Sequence, residues 1–225
     1  MTTSHGHYTK IQPKELLHAL ISAFFVGFVI SFRDWGTQTL DIAAGLESFI
    51  ISGIAALAII LLRISAQKWI ALKYGLLTTY TIGKYSLPTS IFLAIFFNGL
   101  LPFTSAGEIR FKESKRLRLG QFRYGLNLQD ISIVSLAAPA VSILLMIIIK
   151  PIFLVTDNFL IHKIIQVAAA IAFFGLIPIN GNEGFHIFYY RRWLWIVCVV
   201  FIGVYFGLIL AAGVFSYVVA AILAL

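Results

Sequence analysis

In the stretch RISAQKWIALKYG, residues 63–75, Arg63, Ile64 and Gln67 stand at the spacing that a zinc enzyme fills with His, Glu and His in an H-E-x-x-H helix. Helix positions i and i+4 share a face, so two ligands there reach one metal ion while the residue after the first serves as general base. Catalytic zinc needs three His, Asp/Glu or Cys ligands and a bound water with a base beside it. Arg63 is always cationic and only donates, Gln67 is at best a poor ligand, and Ile64 moves no proton. The spacing is that of a metal site and the side chains are not.

Glu183 and His186 stand at i, i+3 where a later helix starts, in PINGNEGFHIF (178–188), and could face each other, but two ligands do not close a metal site. The simpler reading of His186 is a hydrogen-bonding residue at a helix start. Glu47 lies within an apolar block, where an acid is a functional candidate by default, although it is one turn from the loop carrying Asp41 and can reach water. His5 and His7 fall in a polar terminus, and His18 at the edge of an apolar run has an interfacial position to explain it. Ser65 has no base on its helix face, no G-x-S-x-G occurs, and Gly203, Gly207 and Gly213 read as helix-packing positions rather than a phosphate loop. A single cysteine, Cys198, excludes a disulfide within the chain.

These residues must be positioned by membrane helices. The chain has 225 residues, is 60% hydrophobic and only 12% charged, and its apolar residues come in long blocks, which excludes an ordinary soluble domain. Its net charge of +8 is placed by membrane topology rather than by nucleic acid, because basic residues collect in cytoplasmic loops. Residues 1–15 form a polar tail, no removable signal peptide is expected, and 16–225 form a single membrane domain.

A crossing needs about 20 apolar residues, which 16–32, 43–62, 131–149 and 160–179 supply. The block 194–225 allows one long helix or two shorter ones. The segment 88–103, PTSIFLAIFFNGLLPF, is short and carries Pro88, Pro102 and Asn98-Gly99. If it dips in and returns, the loops 63–87 and 104–129 share a face with the N-terminus, placing 14 of the 17 basic residues in the cytoplasm and leaving Arg33, Lys150 and Lys163 outside. A re-entrant loop is therefore expected, shielded by surrounding protein. LLTTYTI (76–82) and the alternating segment 107–128 predict short strands at the membrane surface. For 112–118, a solvated basic loop on anionic headgroups is the competing reading. The expected fold is an all-α polytopic membrane protein with five to six transmembrane helices, a re-entrant loop and short surface β-strands.

Three stretches, in order, carry a resemblance. QKWIALKYG (67–75), SLAAPAVSILL (135–145) and PINGNEGFHIF (178–188) resemble segments of the site-2 protease family of intramembrane zinc metalloproteases, over a core of about 43–193. The resemblance implies that the family's two metal histidines fall on Arg63 and Gln67, its catalytic glutamate on Ile64, its aspartate on Glu183 and its asparagine on Gly175. It further implies an inactive member, a pseudoprotease without metal or other cofactor. Such a chain would act as an accessory or regulatory subunit among membrane lipids, binding segments of other transmembrane subunits. The alternative is a small-molecule or ion pathway lined by intramembrane polar residues; an active protease with a rearranged site is the least favoured reading. The polar cluster available for either role is Arg63, Gln67, Asn180, Glu183 and His186. In the family, positions 63 and 183 face one metal ion, so an Arg63–Glu183 ion pair with Gln67 as an added donor is expected there. Arg63 could instead snorkel to the surface.

Overall fold

The computed structural model describes residues 10–36, 41–83, 86–99, 102–104, 107–113, 127–156 and 158–223. His5, His7 and most of the basic segment 112–118 lie outside these. The fold is mainly helical: α1 (Pro13–Ser31) with a 3-10 turn (Phe32–Trp35), α2 (Ile42–Lys73), β1 (Leu76–Thr81), α3 (Ser86–Phe96), β2 (Glu108–Glu113), α4 (Leu128–Thr156), α5 (Phe159–Gly175), α6 (Glu183–Tyr190) and α7 (Arg192–Leu223). Among the described residues four helices are long and apolar enough to cross a membrane, which marks a membrane protein.

Local chemistry sets the helix ends. Pro13 opens α1, where a missing N–H costs nothing, and Glu15 accepts the Gln12 backbone N–H at 2.8 Å. Asp41 caps α2 by accepting from Ala44 N at 3.1 Å, and Asn158 caps α5 by accepting from Leu160 N at 2.9 Å. Helix α2 runs well past residue 62, carrying Arg63 and Gln67 within one continuous helix. The C-terminal block is a single helix, α7.

Helices α1 and α2 cross closely at Gly27, where a Cβ would stand 2.8 Å from Gly53 Cα. Helix α5 is the centre of the bundle: Val167, Ala169, Ala170, Ile171 and Ala172 are all 0% exposed. Its small side chains let α2, α4 and α7 approach it together, which apolar bulk alone does not achieve between helices in lipid.

Strands β1 and β2 pair antiparallel, with Leu76 opposite Glu113 and Thr81 opposite Glu108. The chain between them must therefore return to the place it left. Its outward arm is α3, which ends in a left-handed turn at Asn98 (φ 49°) and Gly99 (φ 69°). A Cβ on Gly99 would lie 3.2 Å from Arg33 N, so this turn sits against the end of α1 remote from the sheet. The sheet meets α1 at the other end, with His18 Nδ1 3.3 Å from Tyr80 O. Fifteen residues separate His18 from Arg33, so the loop penetrates about 20 Å along α1. Its returning arm packs on the bundle through Phe103, whose ring lies 4.8 Å from that of Phe174.

Cysteines introduced at Tyr74 and Lys112, in a Cys198→Ala background, should accordingly react with an impermeant reagent from the same side of sealed vesicles. Labelling from opposite sides would contradict the pairing of β1 with β2 at one membrane face.

Candidate functional site

Arg63, Ile64 and Gln67 share the face of α2 that turns into the bundle, together with Ile60 one turn earlier. Glu183 is the first residue of α6, where a carboxylate is favoured by the helix dipole. The turn between α5 and α6 brings it across. Asn182 Nδ2 donates to Phe174 O and Ile177 O, both at 3.4 Å, and Gly184 lies so close to Leu176 that a Cβ would stand 2.0 Å from the Leu176 carbonyl oxygen. The indole N–H of Trp195 on α7 donates to the same carbonyl at 2.8 Å.

At this meeting point Arg63 Nη2 donates to Glu183 Oε1 at 3.1 Å, and Arg63 Nη1 donates to Ser142 Oγ on α4 at 2.9 Å. The two charged side chains are 5% and 12% exposed. One guanidinium thus ties α2 to α4 and α6, and it does not snorkel. Gly175 makes room for the pair, since a Cβ there would lie 3.1 Å from both Arg63 Nη2 and Glu183 Oε2. The space remaining is a cavity of about 10 Å³ lined also by Tyr80, Gly107, Ile109, Ile171 and Asn182. That is about the room one water molecule needs.

Gln67 departs from its expected place. It is 1% exposed and lines the same cavity, yet neither its Oε1 nor its Nε2 has a hydrogen-bond partner among the described residues, so it adds no donor to the pair. Tyr80 Oη and Ser22 Oγ are close enough to interact but fall short of hydrogen-bond geometry. Burial raises the Tyr80 phenol well above its ordinary range.

The other candidates are placed elsewhere. Asn180 is exposed, and its neighbour Asn182, at 5% exposure, is the asparagine that joins the site. Asn182 stands at the N-cap position of α6, directly before Glu183, and its side chain makes no capping hydrogen bond. His186 turns away from the ion pair, its ring 5.3 Å from Phe111 and 5.6 Å from Phe185; burial lowers its pKa, an effect the Glu183 carboxylate partly offsets. Glu47 is exposed on α2. His18 contacts the β1 backbone rather than facing the interface alone. Ser142 and Tyr80 carried no local signal, because both reach the site only through long-range packing.

Two further ion pairs frame the bundle. Lys68 Nζ lies 2.5 Å from Glu15 Oε2, both side chains 4% exposed, and Glu15 Oε1 accepts the Tyr80 backbone N–H at 3.1 Å. Toward the other end, Lys163 Nζ lies 2.5 Å from Asp34 Oδ2, which also accepts from Ser48 Oγ. Lys163, at a helix edge in sequence, is 5% exposed and internally paired.

The donor set does not fit zinc. Arg63 places a cation where a ligand would stand, and the described residues hold no group of three or more His, Cys, Asp or Glu side chains able to share an ion. The chain matches no family model, no curated protein and no solved structure.

Proposed function

We propose that this chain is a non-catalytic relative of the site-2 proteases, a membrane scaffold that holds an extended or transmembrane segment of another membrane protein and does not cut it. The observation that carries the reading is the Arg63–Glu183 pair. Two positions 120 residues apart, which the resemblance assigns to one metal ion, meet at one point and bear opposite charges. A general base is missing at Ile64, so the arrangement offers a structural bond and no hydrolytic chemistry.

Five crossings fit this reading: the four long helices, and α5, whose 17 residues reach the lower limit of a span. Helix α3 is then the re-entrant arm, and the N-terminus, sheet and α6 share the cytoplasmic side. A conducting pathway finds less support, because the space beside the ion pair is about 10 Å³, the room of a single water molecule.

The sheet edge supplies the holding surface. Tyr80 sends its N–H to Glu15, with His18 at its C=O, so the outer edge of β1 is closed there by α1. In antiparallel pairing the residue opposite such a position also points its backbone groups outward. Ile109, opposite Tyr80, and Phe111, opposite Thr78, therefore present theirs on the outer edge of β2, where an extended segment can add a strand.

Purification of the full chain in a gentle detergent, followed by identification and quantitation of bound chains, tests the proposal. A membrane protein at fixed stoichiometry that is lost on Ile109→Pro, in a variant whose unfolding midpoint shows it still folded, is the expected result. A chain that purifies alone, or a partner indifferent to the β2 edge, would count against it.

A further inference from the structure

Gln67 stands one turn from Arg63 on the inward face of α2 and is 1% exposed, with Oε1 and Nε2 both unpartnered among the described residues. A primary amide carries two donors and two acceptor sites, and burying it with none of them matched is strongly unfavourable. Ile60 and Ile64 line the same cavity, so this face of α2 accepts aliphatic side chains without that cost. The amide calls for a partner that is not a protein group.

Tyr80 is the second unmatched group. It is 6% exposed, its Oη has no hydrogen-bond partner among the described residues, and its phenol lies within the field of both Arg63 and Glu183. Two glycines keep the space beside these groups open. A Cβ on Gly107 would stand 2.5 Å from Tyr80 Oη, and one on Gly175 would stand 3.1 Å from Glu183 Oε2, while the guanidinium hydrogen bond goes to the other carboxylate oxygen. Gln67, Tyr80, Glu183 and both glycines line one cavity of about 10 Å³. That is the room of one water molecule, and buried waters typically make about three hydrogen bonds to groups that are otherwise unmatched.

We propose that one ordered water is bound at this point, held by the Gln67 amide, the Tyr80 hydroxyl and Glu183 Oε2. It joins α2, β1 and α6 through solvent, beside the direct bond of the ion pair. Water donates and accepts, so it matches both ends of the amide. A cation does not suit the same set, because Arg63 already places a positive charge against the carboxylate. Gln67 thereby fixes the sheet to α2 through a bridge rather than through a direct contact.

Two measurements test the site. In a crystal structure of the full chain at a resolution that shows ordered solvent, a water should lie within hydrogen-bond distance of Gln67 and of Tyr80 Oη or Glu183 Oε2. The second measurement is a double-mutant cycle between Gln67→Met and Tyr80→Phe, which keep side-chain size and remove polar atoms from two groups that share no direct hydrogen bond. With a bridging water, each single change should lower the thermal unfolding midpoint by about 2–4 °C, the shift for one net hydrogen bond in a chain of this size, and the double change by less than the sum. Were the two groups simply unmatched, each change would relieve a buried penalty, so both midpoints would rise and the rises would add. The wild-type density reports even if a variant fails to fold. Absence of density at this point, a cation ligated by Gln67, or midpoints that rise additively would overturn the proposal.

Discussion

Arg63→Ala should destabilise the protein by about 3–5 kcal/mol, because it strands the Glu183 carboxylate in a site that is nearly closed to water. Removing both charges should cost less than removing one: Arg63→Ala with Glu183→Ala leaves a small cavity but no unpaired buried ion. Ser142 keeps a partner in either variant, since its hydroxyl also donates to Ala138 O at 3.4 Å. Unfolding midpoints of the two single variants and the double variant, in one detergent at one pH, give the coupling directly. A double variant as unstable as the sum of the singles would mean that the two side chains do not act as a pair.

Glu15→Ala should be comparably damaging, again by about 3–5 kcal/mol, through a different set of losses. Glu15 is 3% exposed and accepts from Lys68, from the Gln12 N–H and from the Tyr80 N–H. Truncation strands the Lys68 ammonium and also leaves a strand N–H without its acceptor, the latter accounting for about 1–3 kcal/mol of that total. The rescue pattern distinguishes the two sites. Pairing Glu15→Ala with Lys68→Met should recover only part of the loss, because Tyr80 N–H remains unsatisfied. Full recovery, read from the same unfolding midpoints, would show that the strand contact carries no stability.

Much of the architecture was legible because it follows from hydrophobic length and backbone preference. The β-branched and aromatic run at 76–82 is β1, and the basic alternating stretch after residue 107 begins with β2. The register of Thr81 opposite Glu108 requires the chain between the strands to return to the sheet, and charge placement supports the proposal that this return is a dip into the membrane. Apolar blocks located the helices, but their ends depended on caps: Asp41 and Asn158 fix starts, and α5 stops at Gly175 rather than at 179 because the chain must turn to bring Glu183 inward.

The site was legible where helical spacing governs it and opaque where packing does. Arg63, Ile64 and Gln67 share a face by periodicity alone. That Arg63 reaches Ser142, that Gln67 makes no hydrogen bond with the described residues, and that Asn182 rather than Asn180 enters the site all depend on how α4 and the α5–α6 turn dock. The burial of Lys163 had the same origin: at a helix edge in sequence, it is enclosed because the 3-10 turn carries Asp34 over it.

The identity of what occupies the point between α2 and α6 is most directly tested by the zinc content of the protein, purified without chelator and then incubated with excess zinc before desalting. Far less than one zinc per chain is expected, with wild type and Glu183→Ala alike, because Arg63 already fills the position with a cation that cannot ligate. One tightly held zinc per chain, lost on Glu183→Ala, would contradict a site closed by an ion pair.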